Sequence, residues 1–179
     1  MYLDRAIEGK YCELRSIEES DAEFTLALRQ DPEITQYLPR LDISLEQQKE
    51  WIKAQRERPY DYFWVMFDKE GNRFGTAGIY DMNTNEPKGR SLAAKGNPLQ
   101  NIEGTYLAYK YMLDVFKVDG MYGYVYADNV RATRFNELLG AVIGEPKESN
   151  GIIIREVIFR QPEFGIAEKK VRRMLYHET

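Results

Sequence analysis

The chain has 179 residues, 43% hydrophobic and 30% charged, with a net charge of −4 and a pI near 5.3. That suits one folded domain with a sizeable core, and it argues against nucleic acid or an anionic membrane surface as the main partner. A single cysteine (Cys12) and a single histidine (His177) exclude an internal disulfide, a histidine-based triad and a multi-ligand zinc site. No apolar run reaches spanning length, and Met1 to Lys10 is too charged for a signal peptide, so a cytoplasmic location is expected.

Tyr11 to Ile17 alternates and reads as a first strand. Ser20-Asp21-Ala22-Glu23 has capping-box spacing and predicts a helix carrying Phe24, Leu26, Ala27 and Leu28, stopping near Asp31-Pro32. Ser44-Leu45-Glu46-Gln47 repeats the device for a second helix through Trp51 and Ile52 toward Arg58. The loop between them, 34–43, holds Tyr37, Leu38 and Pro39, readable as local packing or as a wall of a substrate pocket. Tyr62 to Phe67 is strongly β-prone, and Lys69-Glu70-Gly71-Asn72 turns it into a partner strand, Arg73 to Met82. A short strand, Gly89 to Lys95, ends at Gly96-Asn97-Pro98, and a helix is predicted from about Ile102 to Val118. Tyr122 to Tyr126 is a further strand, after which Asp128 or Asn129 could cap a helix that Gly140 terminates. Val142-Ile143 and Ile152 to Phe159 are joined through Ser149-Asn150-Gly151, a hairpin signal. Gln161 to Thr179 reads as a charged extension with a short helix from Ala167.

The run Asn129-Val130-Arg131-Ala132 with Phe135 and Leu139-Gly140, after a strand, is compatible with any capped amphipathic helix. It also resembles the last βα unit of the GCN5-related N-acetyltransferase (GNAT) superfamily. Leu14 to Asp21, Arg29 to Ile34 and Ser44 to Trp51 match, in order, family segments around the first two helices. The match spans roughly residues 10 to 160 and is closest to amino-sugar-nucleotide N-acetyltransferases and ribosomal-protein alanine N-acetyltransferases. The resemblance implies an α+β fold in a single domain, 1–179, with about seven strands in a mixed twisted sheet and about four helices. It also implies that the fourth and fifth strands splay apart, with a bulge near Ala93-Ala94.

The implied chemistry is acetyl transfer from acetyl-CoA, a co-substrate, to a primary amine of a small molecule, such as an amino-sugar nucleotide. A protein N-terminal acetyltransferase and a non-catalytic acyl-CoA-binding or interaction module are the alternatives. No nucleic acid or membrane partner is expected, and a homodimer is compatible. By the resemblance, Ala93, Ala94 and Lys95 would face the pantetheine arm. The family's R/Q-x-x-G-x-G/A turn maps onto Asn101, Ile102, Glu103, Gly104 and Thr105, whose amides would hold the pyrophosphate. Tyr106 stands where a small residue is expected, and Glu103 would sit unfavourably near phosphate. Asn129 and Phe135 would line the cofactor; Phe135 stands where the family often has a tyrosine that protonates the leaving thiolate. The acidic residue often found early in the fourth strand is missing, with Arg90 and Ser91 in its neighbourhood. Asp81, Glu103, Tyr126 and Asp128 are the candidate proton acceptors, with Tyr126 and Asp81 foremost.

Overall fold

A computed structural model describes residues 2–39, 41–93 and 95–177. The chain opens with β1 (Ile7–Glu8) and β2 (Cys12–Ser16), then a 3-10 turn, α1 (Ala22–Gln30), α2 (Pro32–Thr35) and α3 (Leu45–Glu57). A meander of β3 (Tyr62–Asp68), β4 (Arg73–Tyr80) and β5 (Lys88–Ala93) leads to α4 (Pro98–Asp114) and β6 (Gly120–Tyr126). The rest is α5 (Val130–Leu138), β7 (Val142–Ile143), β8 (Lys147–Ser149), β9 (Ile152–Arg160) and α6 (Gln161–Tyr176). One mixed sheet runs in the order β1-β2-β3-β4-β5-β6-β9-β7, and β8 pairs with β9. The additions to the expected strand count include the two-residue β1 and the three-residue β8. These are pairings too short to leave a period-2 pattern.

Alternation along β3 divides the interior into two layers. Trp64 and Met66 face one side, with Ala77 and Ile79 of β4, Tyr106 and Met112 of α4, and Phe164, Val171 and Leu175 of α6. Val65 and Phe67 face the other, against Ile17, Ala22 of α1 and Ile52 of α3. Burial of one large apolar side chain stabilises by about 1.5–3 kcal/mol. Three such residues on α6, Phe164, Val171 and Leu175, pack that helix into the main core.

Two helix starts depart from expectation. The first device lies two residues earlier: Glu18 N–H donates to the Asp21 carboxylate, and Asp21 precedes α1. Helix α4 begins at Pro98, four residues before the expected start, because Asn97 and Gln100 form a reciprocal capping box around a proline at the first helical position. Both signals are local and were legible, but Gly96-Asn97-Pro98 also spells a turn. The Ser44–Gln47 box and the Asn129 cap stand where expected, the latter accepting from Ala132 N–H at 3.0 Å. Gly140 has φ of +90°, and a side chain there would collide with Ala167 and the backbone of Glu163. Asn150 and Gly151 take positive φ in the β8–β9 turn, as such hairpins require.

Candidate active site

Parallel neighbours β5 and β6 pair at a single register point, Lys88 opposite Tyr122, next to a bond from Tyr122 N–H to Pro87 O (2.8 Å). Beyond it the strands diverge, each held on its outer side by an antiparallel partner: β4 holds β5 from Lys88 to Ala93, and β9 holds β6 throughout. Backbone groups on the inner edges of the V are therefore left for something other than a strand. The expected splay is present. The register of β5 against β4 is continuous through Ala93, so no bulge lies within that strand, and Ala94 is outside the described residues.

Where β5 ends, Lys95 N–H donates to Phe74 O, and Asn97 caps α4. The first turn of α4 uses its own donors: Gln100 N–H goes to Asn97, Asn97 N–H goes to Gln100, and Pro98 has none. Among the described residues no acceptor meets the N–H groups of Gly96 and Leu99. Asn101 to Thr105, by contrast, lie beyond that turn, where amide hydrogens bond back to carbonyls four residues earlier. Asn101 N–H, for example, goes to Asn97 O. The expected phosphate cradle at Asn101, Ile102, Glu103, Gly104 and Thr105 thus lies inside α4, past its first turn. Those five residues are buried inside the helix, and unpaired donors occur one turn earlier.

Glu103 is fully buried and faces away from the V. Its carboxylate accepts the N–H groups of Lys10 (2.8 Å), Tyr11 (2.6 Å) and Cys12 (2.9 Å), tying α4 to the β1–β2 turn. A side chain at Gly9 would collide with it. Glu103 is therefore a structural anion, which removes it both from the pyrophosphate and from the candidate bases. Burial first, then the Glu103 charge, pushes the Cys12 thiol far above the ordinary range.

The two foremost catalytic candidates are not neighbours. Asp81 follows Tyr80, whose cross-strand partner is Lys88 at the joined end of the V. Asp81 has φ of +59°, donates its N–H to Asp61 (3.0 Å) and ion-pairs with Lys88 (2.7 Å). Tyr126 is the last residue of β6, four past Tyr122 and so roughly 13 Å further along the strand. Its ring meets Tyr37 edge-on at 5.9 Å, so the loop after α2 reaches the far side of the V. Asn129 caps α5 at the open end, and Phe135 is half-buried against the main core.

A group not singled out from the sequence lies on the α1 side of the sheet. Arg29, in the last turn of α1, donates from Nη2 to Pro39 O (3.2 Å), and its buried Nε meets no acceptor among the described residues. Arg90 of β5 stands opposite Gly78, over which the Tyr80 ring folds back. Burial, then the nearby Arg90 charge, lowers the pKa of Arg29 from its usual value. Burial pushes the Tyr80 hydroxyl up to about 12, with Asp61 adding and Arg90, Arg29 and Arg58 opposing. Tyr80 therefore stays a neutral hydrogen-bond donor near pH 7. A separate hollow of about 410 Å³, lined by Leu3, Arg5, Arg15 and Arg73, lies toward the opposite edge of the sheet from the V.

Residues 12–142 match the acetyltransferase (GNAT) domain family. No curated protein matches the chain in sequence. Among solved structures, apo FdhC, a nucleotide-linked sugar GNAT, is 20% identical over 97% of this chain and 99% of its own, with a TM-score of 0.79. The spermidine N-acetyltransferase of Vibrio cholerae, in complex with CoA and spermine, is 15% identical over 87% of this chain and 99% of its own, with a TM-score of 0.75. No helix among the described residues is long and apolar enough to cross a membrane. A sheet opened between β5 and β6, the capped helices on either side of that opening, and the match over most of the chain agree: this protein belongs to the GNAT acetyltransferase family, whose co-substrate is acetyl-CoA.

Proposed function

We propose that the protein moves the acetyl group of acetyl-CoA to a primary amine of a small molecule, an amino-sugar nucleotide being the acceptor its cleft suits best. The single register pair between β5 and β6 carries this reading, because it leaves inner-edge backbone groups able to pair with the amides of a pantetheine arm. The N–H groups of Gly96 and Leu99, which meet no acceptor among the described residues, suit the pyrophosphate beside Lys95 and the positive end of α4. Ala93 and Asn129 border the slot between them.

In the transfer, the amine nitrogen bonds to the thioester carbonyl carbon, the C–S bond breaks, and CoA departs as thiolate. One proton leaves the amine nitrogen and one reaches sulfur. Tyr126 is the nearest hydroxyl-bearing residue to the open end on β6, and water serves where it does not reach. Asp81, paired to Lys88 at the joined end, is the second candidate to take the amine proton. Support for a nucleotide-linked acceptor comes from the alignment with FdhC along nearly the whole chain.

The test is a thermal shift with acetyl-CoA followed by thiol release with a panel of amines, since a ligand that binds only the native state raises apparent stability. Acetyl-CoA is expected to stabilise the protein, and an amino-sugar nucleotide to release CoA faster than spermidine does. No shift at millimolar acetyl-CoA would overturn the reading.

A further inference from the structure

We propose that Arg29 and Arg90 form an anion-recognition site for the acceptor, taking a phosphate or diphosphate attached to the amine-bearing ligand. The inference rests on the acetyl-transfer reading above and names the part of the acceptor that the cleft grips.

Arg29 and Arg90 are brought together by elements far apart in sequence, the end of α1 and the middle of β5. The Arg29 guanidinium is pinned to the loop through Pro39 O, yet its shielded Nε has no acceptor among the described residues. Native proteins seldom leave a buried donor of this kind unmatched. Arg90 is exposed, its backbone paired with Gly78, and its guanidinium has no ion pair with a carboxylate among the described residues. Nearby carboxylates are already engaged. Asp61 accepts the N–H of Asp81 and lies 3.9 Å from Arg58, while Asp81 pairs with Lys88.

Arg29 and Arg90 share the α1 face of the sheet, where α1 packs on β4 and Arg90 stands opposite Gly78 beside the Tyr80 hydroxyl, and two cations on one face are unfavourable until an anion arrives. A guanidinium presents a planar fork that matches phosphate oxygens in pairs, which is why arginine suits this task. The Tyr80 hydroxyl, protonated near neutral pH, adds a neutral donor on the same face. Lys95 lies five residues and the start of α4 eight residues beyond Arg90, and the three strand residues from Arg90 to Ala93 alone span roughly 10 Å, so this anion site is distinct from the one proposed for the CoA pyrophosphate. A polyamine, positive along its length, would be repelled here.

The experiment titrates UDP and, separately, inorganic pyrophosphate into wild type, Arg29→Gln and Arg90→Gln, each first saturated with CoA. Saturation is confirmed by the thermal shift that CoA itself produces. UDP and pyrophosphate should bind the wild type, and each substitution should weaken both by roughly tenfold to a hundredfold. UDP binding without pyrophosphate binding would locate recognition in the nucleoside and overturn the inference. So would variants that bind as tightly as wild type, or a wild type that binds neither anion. Arg90 is exposed, so its variant remains informative if Arg29→Gln fails to fold. Absence of a CoA shift would sink acetyl transfer, while the anion titration, repeated without CoA, would still report on the arginine pair.

Discussion

Glu103 is a fully buried charged side chain and Arg29 a partly buried one with its Nε withdrawn from water, and the protein treats them in opposite ways. Three backbone N–H groups converge on the Glu103 carboxylate at 2.6 to 2.9 Å. The Arg29 guanidinium has one carbonyl, an Nε with no acceptor among the described residues, and Arg90 as a nearby like charge. A buried charge with every valence met is a fastener, because the same low dielectric that makes desolvation costly strengthens each hydrogen bond. A cation left short of acceptors marks a place built for something else. The two layers of the fold follow the same division. The α4–α6 side is closed by packed aromatic and aliphatic residues, while the α1 side carries Arg29, Tyr80 and Arg90 near the opened strands.

The sharpest way to break this contrast is Glu103→Ala. It removes the acceptor of three N–H groups at once, and we expect a loss of roughly 3–5 kcal/mol in stability, measured by urea unfolding. A loss below about 1 kcal/mol would show that water or a shifted β1–β2 turn replaces the carboxylate, and Glu103 would cease to be a fastener. Arg90→Gln is the opposite case. Its unfolding free energy should stay within about 0.5 kcal/mol of wild type, while KM for a phosphate-bearing acceptor rises about tenfold at nearly unchanged kcat. A drop in kcat with constant KM would move Arg90 from acceptor recognition to the transition state.

Asn129→Ala probes a third arrangement, a cap whose partner is its own helix. Loss of the bond to Ala132 N–H should lower stability by about 1 kcal/mol. Because α5 begins at the open end of the V, KM for acetyl-CoA should rise as well. Unchanged acetyl-CoA binding would confine Asn129 to the helix end. The smallest effect is expected from Phe135→Tyr. General acid assistance is worth roughly a hundred- to ten-thousand-fold where it is needed, yet a thiolate leaves readily without it. Turnover should therefore change by less than about tenfold, with stability nearly preserved. A large activation would mean that the natural chain lacks the acid its geometry calls for.

The candidate site was only partly legible in the amino-acid order. The strand-to-helix unit at Tyr126–Asn129 and the aromatic loop at Tyr37 were readable because each is local, and both border the V. The pyrophosphate turn was sought at Asn101 to Thr105, one turn after the helix start. Gly104 and its neighbours offered a glycine where the family has one, but Asn97-Pro98-Leu99-Gln100 holds the actual helix start, by a capping box within four residues. Glu103 looked like a poor neighbour for phosphate only because its distance from Tyr11, 92 positions away, is not written in any spacing.

What the sequence by itself determined is whatever depends on neighbours a few residues apart. The Ser44 and Asn129 caps, the Asn150-Gly151 turn and the alternation that turns Trp64 and Val65 to opposite faces all follow from backbone geometry and the periods of helix and strand. Only the tertiary structure decided the rest. The single pairing of β5 with β6, the absorption of α6 into the core, the satisfaction of Glu103 and the meeting of Arg29 with Arg90 join segments tens of residues apart. Such contacts form where burial of apolar surface brings elements together, and the charge of a residue says nothing of which partner will stand beside it.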